Sequence, residues 1–424
     1  MTTANQTSPN GAIDVNDIPL AELDVSQPHL FKNDTWRPWF ARLRAEAPVH
    51  YLADSENGPF WSVTSHDMTK AVDANHKVFS SEEGGIAIVD PQPLDGEQLM
   101  RDPSFISMDE PKHATQRKAV SPAVAPKNLA ELEPLIRERA ADILDNLPVG
   151  ETFNWVDRVS VELTARMLAT LFDFPYERRR DLIRWSDVAT AVPKVTGEAN
   201  DMGARRDALI ECATTFYQLW QERAAQPPKF DFVSMLAHGE ATKHLSEDPL
   251  LMLGNIILLI VGGNDTTRNS ISGGVVALNQ YPEEYQKLRD TPALIPNMVA
   301  ETVRWQTPVI HMRRTALEDV ELGGKTIRKG DKVVMWYLSG NRDEAVFPDA
   351  DRLIIDRPNA RQHVSFGFGV HRCMGNRLAE MQLRVLWEEI MKRFHTVEVV
   401  GEVERLSNNF IRGIASVPVR LHPL

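Results

Sequence analysis

Phe366-Gly367-Phe368-Gly369-Val370-His371-Arg372-Cys373-Met374-Gly375 is the part of the sequence from which the fold can be worked out. Its glycines let the backbone turn tightly and approach a flat group closely. Apolar residues at helical spacing follow directly, at positions 379, 383, 386 and 390. Cys373 is therefore predicted to lie where a loop enters a helix, and the free N–H groups and dipole of that helix stabilise a thiolate. Such a thiolate is a good soft ligand for iron.

The second cysteine is expected to have a different role. Cys212 lies in the helical pattern Ala208–Trp220, which predicts a buried structural cysteine. Cys373 alone cannot form a structural zinc site, which takes four N or S ligands. A disulfide with Cys212 is not expected, because the two cysteines lie in different kinds of segment.

The spacing Phe-x-x-Gly-x-His-x-Cys-x-Gly, from Phe366 to Gly375, resembles the haem-binding loop of cytochromes P450, the haem-thiolate monooxygenases. The family often has Arg where this chain has His371, and many bacterial members have His. The resemblance implies that Cys373 is the axial ligand of the iron of haem b. It also implies that Phe366, Gly367, His371 and Gly375 contact the cofactor. On the residues alone, a buried cysteine in a glycine-rich turn is the alternative.

A long buried helix is predicted from Pro249 to Gln280. Asp248 suits the N-cap and Pro249 the first helical position, and the pattern stops at Tyr281-Pro282. The helix would be roughly 48 Å long. Residues 250–261 are apolar on nearly every face, which indicates a helix that runs through the core.

The segment Gly262-Gly263-Asn264-Asp265-Thr266-Thr267 lies in the middle of this helix. Glycine costs about 1 kcal/mol relative to alanine inside a helix, and Asp and Thr bond to nearby backbone. A conflict of this kind favours a functional site. We expect an opened turn where a small ligand lies on the backbone and Asp265 and Thr266 relay protons to it. A kinked helix with satisfied polar groups is the alternative. The segment resembles the family's oxygen-binding motif at every position.

His113 and Arg117 are four residues apart on a predicted helix and face the same way. Two donors on one face suit a carboxylate or phosphate, although a solvated basic turn has the same pattern. In the family, the matching residues contact the haem propionates. Arg314 stands where the family has a further propionate-binding arginine, and Arg313 is the less favoured neighbour.

Glu301 and Arg304 are three residues apart on a helix predicted to end at Pro308. An ordinary surface ion pair would look the same. The family's matching pair is buried and structural, and a later arginine joins it. Arg352 is the residue predicted for that third position.

Composition describes an ordinary globular chain of 424 residues, 42% hydrophobic, with a net charge of −12. The acidic balance argues against general nucleic-acid binding, and two cysteines indicate a reducing compartment. The N-terminus lacks the features of a signal peptide, and the apolar run Pro249–Gly263 is too short to span a bilayer. We therefore expect a cytoplasmic monomer without a membrane span.

Length alone favours two or three domains. The resemblance instead implies one mainly helical domain with small β-sheets over residues 21–424, after a flexible tail over residues 1–20. Strands are predicted at 49–51, 60–63, 320–322 and 332–337, with residues 313–316 leading into this last β region, and helices fill residues 126–245. Residues 80–107 lack periodicity and are predicted to form a long loop, either functional or mobile. Haem would lie between the long helix and the Cys373 loop.

The activity implied by the resemblance is insertion of one atom of O₂ into an unactivated C–H bond, with Asp265 and Thr266 delivering protons. The chain has no flavin or iron–sulfur motif, so a ferredoxin with its NAD(P)H-dependent reductase is the expected electron source. Its docking face would be basic and would comprise Lys112, Arg117, Lys118, Arg372 and Arg377. A peroxygenase and a non-catalytic haem sensor are the rival classes.

The segments Asp109–His113, Gly262–Ser270 and His311–Arg314 resemble the bacterial branch that hydroxylates terminal methyl groups of medium-length alkanes and fatty acids. A steroid, terpene or other cyclic hydrophobe is the alternative substrate. The residues expected to line the pocket are apolar or small, as ordinary core residues also are: Ile86, Ile88, Val89, Leu258, Val261, Gly262, Val309, Ile310, Met312 and Phe410.

Overall fold

The computed structural model describes residues 14–90, 103–190 and 202–424. Most of its regular structure is helical, with the bounds α1 Pro28–Lys32, α2 Arg37–Glu46, α3 His66–Ala74, α4 Lys112–Val120, α5 Pro126–Asp145, α6 Glu162–Phe172, α7 Arg179–Thr190, α8 Met202–Ala224, α9 Phe232–His238, α10 Pro249–Gln280, α11 Pro282–Asp290, α12 Ile295–Gln306, α13 Tyr337–Gly340 and α14 Asn376–Arg393. A π-helical segment, Val156–Val161, leads into α6.

The strands are short and lie at β1 Val49–Leu52, β2 Phe60–Val63, β3 Phe79–Ser80, β4 Phe153–Asn154, β5 Met312–Ala316, β6 Val320–Leu322, β7 Lys325–Ile327, β8 Lys332–Met335, β9 Phe394–Val399, β10 Glu404–Arg405, β11 Ile414–Ser416 and β12 Pro418–Pro423. The largest sheet has the order β1-β2-β8-β5-β3, in which β2 and β8 are parallel and the other pairs antiparallel. The described residues also form the sheet β4-β12-β9 and the strand pairs β6-β7 and β10-β11. The prediction of a mainly helical fold with small sheets is confirmed.

Helix α10 runs through the largest apolar cluster of the described residues. Its N-terminus forms as predicted, since Asp248 Oδ1 accepts a hydrogen bond from Leu251 N at 3.1 Å and Pro249 takes the first position. The helix packs against α6, α7, α8, α12 and α14. It is long and apolar enough to cross a bilayer. These contacts instead explain its hydropathy, since the central helix of a folded core has the same composition.

The predicted opening of α10 at residues 262–267 is wrong: the helix is continuous over its 32 residues. Its polar groups find partners without breaking the backbone, because Asn264 Oδ1 accepts from Thr164 Oγ1 at 2.9 Å and Thr266 Oγ1 donates to Gly262 O at 2.9 Å. Gly263 lets α10 and α6 pack closely, since a Cβ at this position would lie 2.8 Å from Leu168 Cδ2 on α6.

Residues 14–20 are docked on the body of the protein. Val15 is buried, and Arg42 Nη1 donates to Val15 O at 2.5 Å and to Ile18 O at 2.7 Å. The prediction of a flexible tail is therefore wrong for residues 14–20, because one arginine on α2 satisfies their carbonyls. Residues 1–13 lie outside the described residues, and the extent of one domain over residues 21–424 stays a prediction.

Candidate active site

The Cys373 loop turns as its glycines suggest. Gly367 and Gly369 have φ of +67° and +66°, where a side chain would be strained. A Cβ at Gly369 would also lie 2.6 Å from Asp73 O on α3. Cys373 N donates to Phe366 O at 2.8 Å, and Gly375 is the N-cap of α14. The cysteine thus lies at the entrance to a helix, as predicted.

Cys373 keeps exposed surface, although protein atoms surround its thiol closely enough to desolvate it. Burial raises the pKa of its thiol, and the N–H groups of Gly375 and Asn376 and the charges of Arg117 and Arg372 act in the opposite direction. The expected stabilisers of a thiolate are therefore present, but desolvation outweighs them in the free thiol. Because a bound metal ion deprotonates its coordinating thiol outright, Cys373 could hold iron as a thiolate.

Four of the residues predicted to contact the cofactor come together beside this loop. The rings of His113 and His371 have centroids 4.1 Å apart. Arg117 Nη1 donates to Val370 O at 3.2 Å, and Nη2 to Arg372 O at 2.6 Å. Burial, together with the charges of Arg314, His113 and Arg117, lowers the pKa of His371 to about 2. Helix α4, strand β5 and the loop therefore place donors around one point.

One of these donors lacks a partner among the described residues. His371 Nε2 pairs with Ser81 Oγ at 3.1 Å, whereas its buried Nδ1 has no hydrogen-bond partner there. Buried polar atoms are normally hydrogen-bonded. A haem carboxylate would provide an acceptor at this place, so the residues fit the cofactor that the sequence predicts.

Asp73, on α3, was not predicted and organises the same region. It is buried, and its carboxylate accepts from Arg314 Nη2 at 2.8 Å, Tyr337 Oη at 2.9 Å and Phe368 N at 2.6 Å. One side chain therefore ties Arg314 to the backbone of the Cys373 loop. No motif in the sequence marked Asp73, since its partners lie hundreds of residues away.

Asp265 and Thr266 are adjacent on α10 but point to different surroundings. The Asp265 carboxylate has almost no exposed surface and accepts from Ser186 Oγ on α7 at 2.8 Å. Thr266 keeps partial exposure and Gly262 is exposed one turn earlier, although both lie in the core part of the helix. A Cβ at Gly262 would meet no atom within 4 Å. This face of α10 therefore has room beside it.

A chain of charged groups links Asp265 to the surface. Arg268 Nη2 lies 2.5 Å from an oxygen of Asp265 and 2.5 Å from one of Asp187, whose side chain is 53% exposed. Burial raises the pKa of Asp265, and the charge of Arg268 opposes that shift. Asp265 is thus a buried acid with a defined route to solvent.

Glu301 and Arg304 form the buried pair that the resemblance implied. Both side chains have no exposed surface, and Arg304 Nε and Nη2 each lie 2.7 Å from a Glu301 oxygen. The predicted third residue, Arg352, is wrong: its guanidinium pairs with exposed Glu283 at 2.7 Å. Arg357 takes that place, with Nε 3.0 Å from Glu301 Oε1. The turn after residue 352 brings the guanidinium of Arg357 to Glu301. The spacing of the arginines in the sequence did not indicate this contact.

The predicted pocket residues divide into two groups. Ile88 and Ile310 are 1% and 0% exposed and pack in the same apolar cluster as Trp336. They offer no surface to a ligand, and the prediction is wrong for these two. The other side chains remain partly exposed: Ile86, Val89, Leu258, Val261, Val309, Met312 and Phe410.

The predicted docking face is smaller than expected. Lys112 pairs with Glu82 at 2.6 Å, and Arg117 is engaged by loop carbonyls. Lys118, Arg372 and Arg377 are exposed, and within the described ranges no acidic side chain pairs with them.

Cys212 is fully buried, as predicted, and burial raises the pKa of its thiol.

Comparisons with known proteins agree with this architecture. A family model described as Cytochrome P450 matches residues 293–420. Linalool 8-monooxygenase of Pseudomonas putida is 39% identical over 411 residues, which cover 94% of this chain and 99% of that protein. The methyl-branched lipid omega-hydroxylase of Mycobacterium tuberculosis is 32% identical, with 99% of each chain covered. The structure of Cytochrome P450-153 from Novosphingobium aromaticivorans is 46% identical, covers 95% of this chain and 100% of its own, and has a TM-score of 0.88.

Proposed function

The chain belongs to the cytochrome P450 family, and we propose that it is a ferredoxin-dependent monooxygenase that hydroxylates the terminal carbon of medium-chain alkanes or fatty acids. The family's cofactor is haem, which when bound activates O₂ for insertion into a C–H bond. Cys373 would hold the iron, and its thiolate donates electron density that favours O–O cleavage. His113, Arg117, Arg314 and His371 would hold the propionates.

Proton supply is proposed to run through Asp265 and Thr266. Arg268 cannot give up a proton, so Asp265 must leave Arg268 to exchange one with solvent near Asp187. Thr266 Oγ, held by Gly262 O on the open face of α10, would receive this proton once Asp265 has moved and would give up its own hydroxyl proton in exchange. The adjacent positions of a buried acid and a partly exposed hydroxyl support this order.

The observation that carries the substrate class is the chemistry of the partly exposed residues. These residues are all apolar: Leu258 and Val261 on α10, Val309 shortly before β5, Met312 in β5, and Phe410. The polar groups next to them are engaged by the protein itself. His311 bonds to Asn409 O at 2.8 Å, and Asn408 Oδ1 accepts from Phe410 N at 2.7 Å. Such a lining favours a hydrocarbon chain over a polar substrate.

The relatives support oxidation at the end of a lipid chain, since one is named an omega-hydroxylase. A terminal methyl has a stronger C–H bond than the methylenes beside it, so terminal attack requires positioning by a narrow pocket. The linalool relative, at the higher identity of 39%, favours a terpene as the second candidate substrate.

The electron donor is proposed to be an acidic ferredoxin that docks near Cys373. Lys118, Arg372 and Arg377 give this face a positive charge on a chain whose net charge is −12. Opposite charges speed association with the correct partner.

The test is product formation by the haem-loaded protein with NADH, ferredoxin and reductase. n-Octane, dodecane, dodecanoic acid, linalool and testosterone are offered one at a time. Primary alcohols or ω-hydroxy acids as main products support the proposal, whereas subterminal alcohols or preferred turnover of linalool or testosterone overturn it. Equal turnover with hydrogen peroxide alone would indicate a peroxygenase, and no product from any substrate would favour a sensor.

A further inference from the structure

His311 lies between two segments that carry predicted pocket residues and hydrogen-bonds to both. Its Nε2 accepts from Ile88 N at 3.1 Å, and its Nδ1 donates to Asn409 O at 2.8 Å. These partners are 223 and 98 residues away in the chain. The side chain has no exposed surface, so it stands behind the lining of the pocket rather than in it.

The two partners determine the state of the ring. A backbone N–H can only donate and a backbone C=O can only accept, so His311 is neutral with its proton on Nδ1. Burial lowers its pKa to about 4, which keeps it neutral near pH 7. Edge-on contacts with Trp336 and Phe410, at centroid distances of 5.1 and 5.4 Å, hold the ring plane.

Each partner carries a partly exposed apolar residue beside it. Ile88 lies between Ile86 and Val89, and Asn409 precedes Phe410. The turn at Phe410 is also fixed by Ile310 N, which donates to Phe410 O at 2.8 Å. The loop is attached by Arg313 N, which donates to Ile86 O at 2.7 Å. The backbone around His311 therefore joins both segments to the start of β5.

We propose that His311 is a positioning residue that holds the loop 86–89 and the turn 408–411 against β5 and so sets which carbon of the substrate is oxidised. The inference rests on the proposed function. The two hydrogen bonds of His311 hold these segments in place and so keep the pocket narrow. A narrow pocket confines oxidation to the end of the substrate chain. Loss of the bonds lets the two segments separate, so that methylenes reach the reacting position.

The experiment compares His311→Phe and His311→Gln with the wild-type holoenzyme, using n-octane and dodecanoic acid as probes. Phenylalanine keeps an aromatic ring next to Trp336 and Phe410 but removes both hydrogen bonds. Glutamine keeps one donor and one acceptor. His50→Gln is the matched control, because His50 is also buried and bonds to a distant carbonyl, Leu20 O, at 2.7 Å.

His311→Phe is expected to lower the ratio of terminal to subterminal product by about fivefold, equivalent to about 1 kcal/mol, with haem content unchanged. His311→Gln should recover part of that ratio, and His50→Gln should leave it at the wild-type value. An unchanged ratio in both His311 variants, or an equal change in the His50 variant, overturns the inference.

If His311→Phe does not fold, hydrogen exchange on the wild type decides the question together with the glutamine variant. The amide of Ile88 should be protected in the wild type and exchange at least tenfold faster in His311→Gln under the same conditions. Fast exchange in the wild type overturns the inference. If the wild type oxidises linalool instead of chains, the proposed function fails, and the same variants are scored on the product distribution from linalool.

Discussion

Replacing Asp73 by asparagine should loosen the Cys373 loop and release haem. The carboxylate accepts three hydrogen bonds, from Arg314 Nη2, Tyr337 Oη and Phe368 N, and is buried. Asparagine can keep one oxygen towards Arg314, but its NH₂ group then faces two donors. The hydroxyl of Tyr337 can rotate and accept a hydrogen bond from this NH₂ group, whereas the N–H of Phe368 is left without an acceptor.

The magnitude follows from these contacts. Stranding a buried N–H costs about 1–3 kcal/mol, and weakening a charge-assisted bond to Arg314 adds about 1.5 kcal/mol. Together they amount to about 3 kcal/mol, which is roughly a hundredfold in an equilibrium constant. The loss should fall on the haem-bound state, because Phe368 lies in the Cys373 loop and Arg314 is a proposed propionate contact.

The assay is the rate at which haem passes from the holoprotein to an apo-acceptor protein, together with the thermal midpoint. Asp67→Asn is the matched control, since Asp67 lies on the same helix with a side chain that is 87% exposed. Asp73→Asn should lose haem much faster than the wild type, and Asp67→Asn should not. Equal haem-transfer rates for all three proteins would show that Asp73 does not position the loop.

Further variants and conditions probe other parts of the site. Cys373→Ser should abolish turnover and the haem-thiolate spectrum with carbon monoxide, because an alcohol is a poor iron ligand; a retained spectrum would contradict the ligand assignment. Thr266→Ala should keep haem and substrate binding but divert electrons from NADH to peroxide. The yield of product per NADH is compared with that of Thr267→Ala, a control at a buried position. Glu301→Ala should lower the free energy of unfolding by about 3–5 kcal/mol, because Arg304 and Arg357 lose their buried carboxylate partner. A haem-replete variant with an unchanged thermal midpoint would contradict this expectation. Stability should be highest above pH 6.5 and lose up to about 3 kcal/mol as the pH falls towards 4, since unfolded His311 takes up a proton before folded His311 does. The fall should be smaller in His311→Gln.

The parts of the site that are local in sequence were predictable. The entry of the Cys373 loop into a helix follows from its glycines and the apolar pattern after it. The N-cap at Asp248 and the pairing of Glu301 with Arg304 depend on residues within one helical turn. Each of these features is determined by neighbours along the chain, and each is present in the structure.

The parts that depend on tertiary contacts were not predictable. Arg357 rather than Arg352 completes the buried ion cluster, because the path of the chain after Phe347 decides which guanidinium turns inward. Helix α10 stays closed, because Thr164 and the helix's own carbonyls satisfy its polar residues. Asp73 and His311 act through partners about one hundred to three hundred residues away, so the role of neither side chain follows from its neighbours in the sequence.

The origin and position of the oxygen atom in the product show most directly whether the protein is a terminal monooxygenase. The holoenzyme is incubated with n-octane, NADH, ferredoxin and reductase under isotopically heavy O₂, and the alcohols are analysed by mass spectrometry. We predict that 1-octanol is the main product and carries one heavy oxygen atom per molecule. Unlabelled alcohol, or labelled 2- and 3-octanol as the main products, would contradict the account.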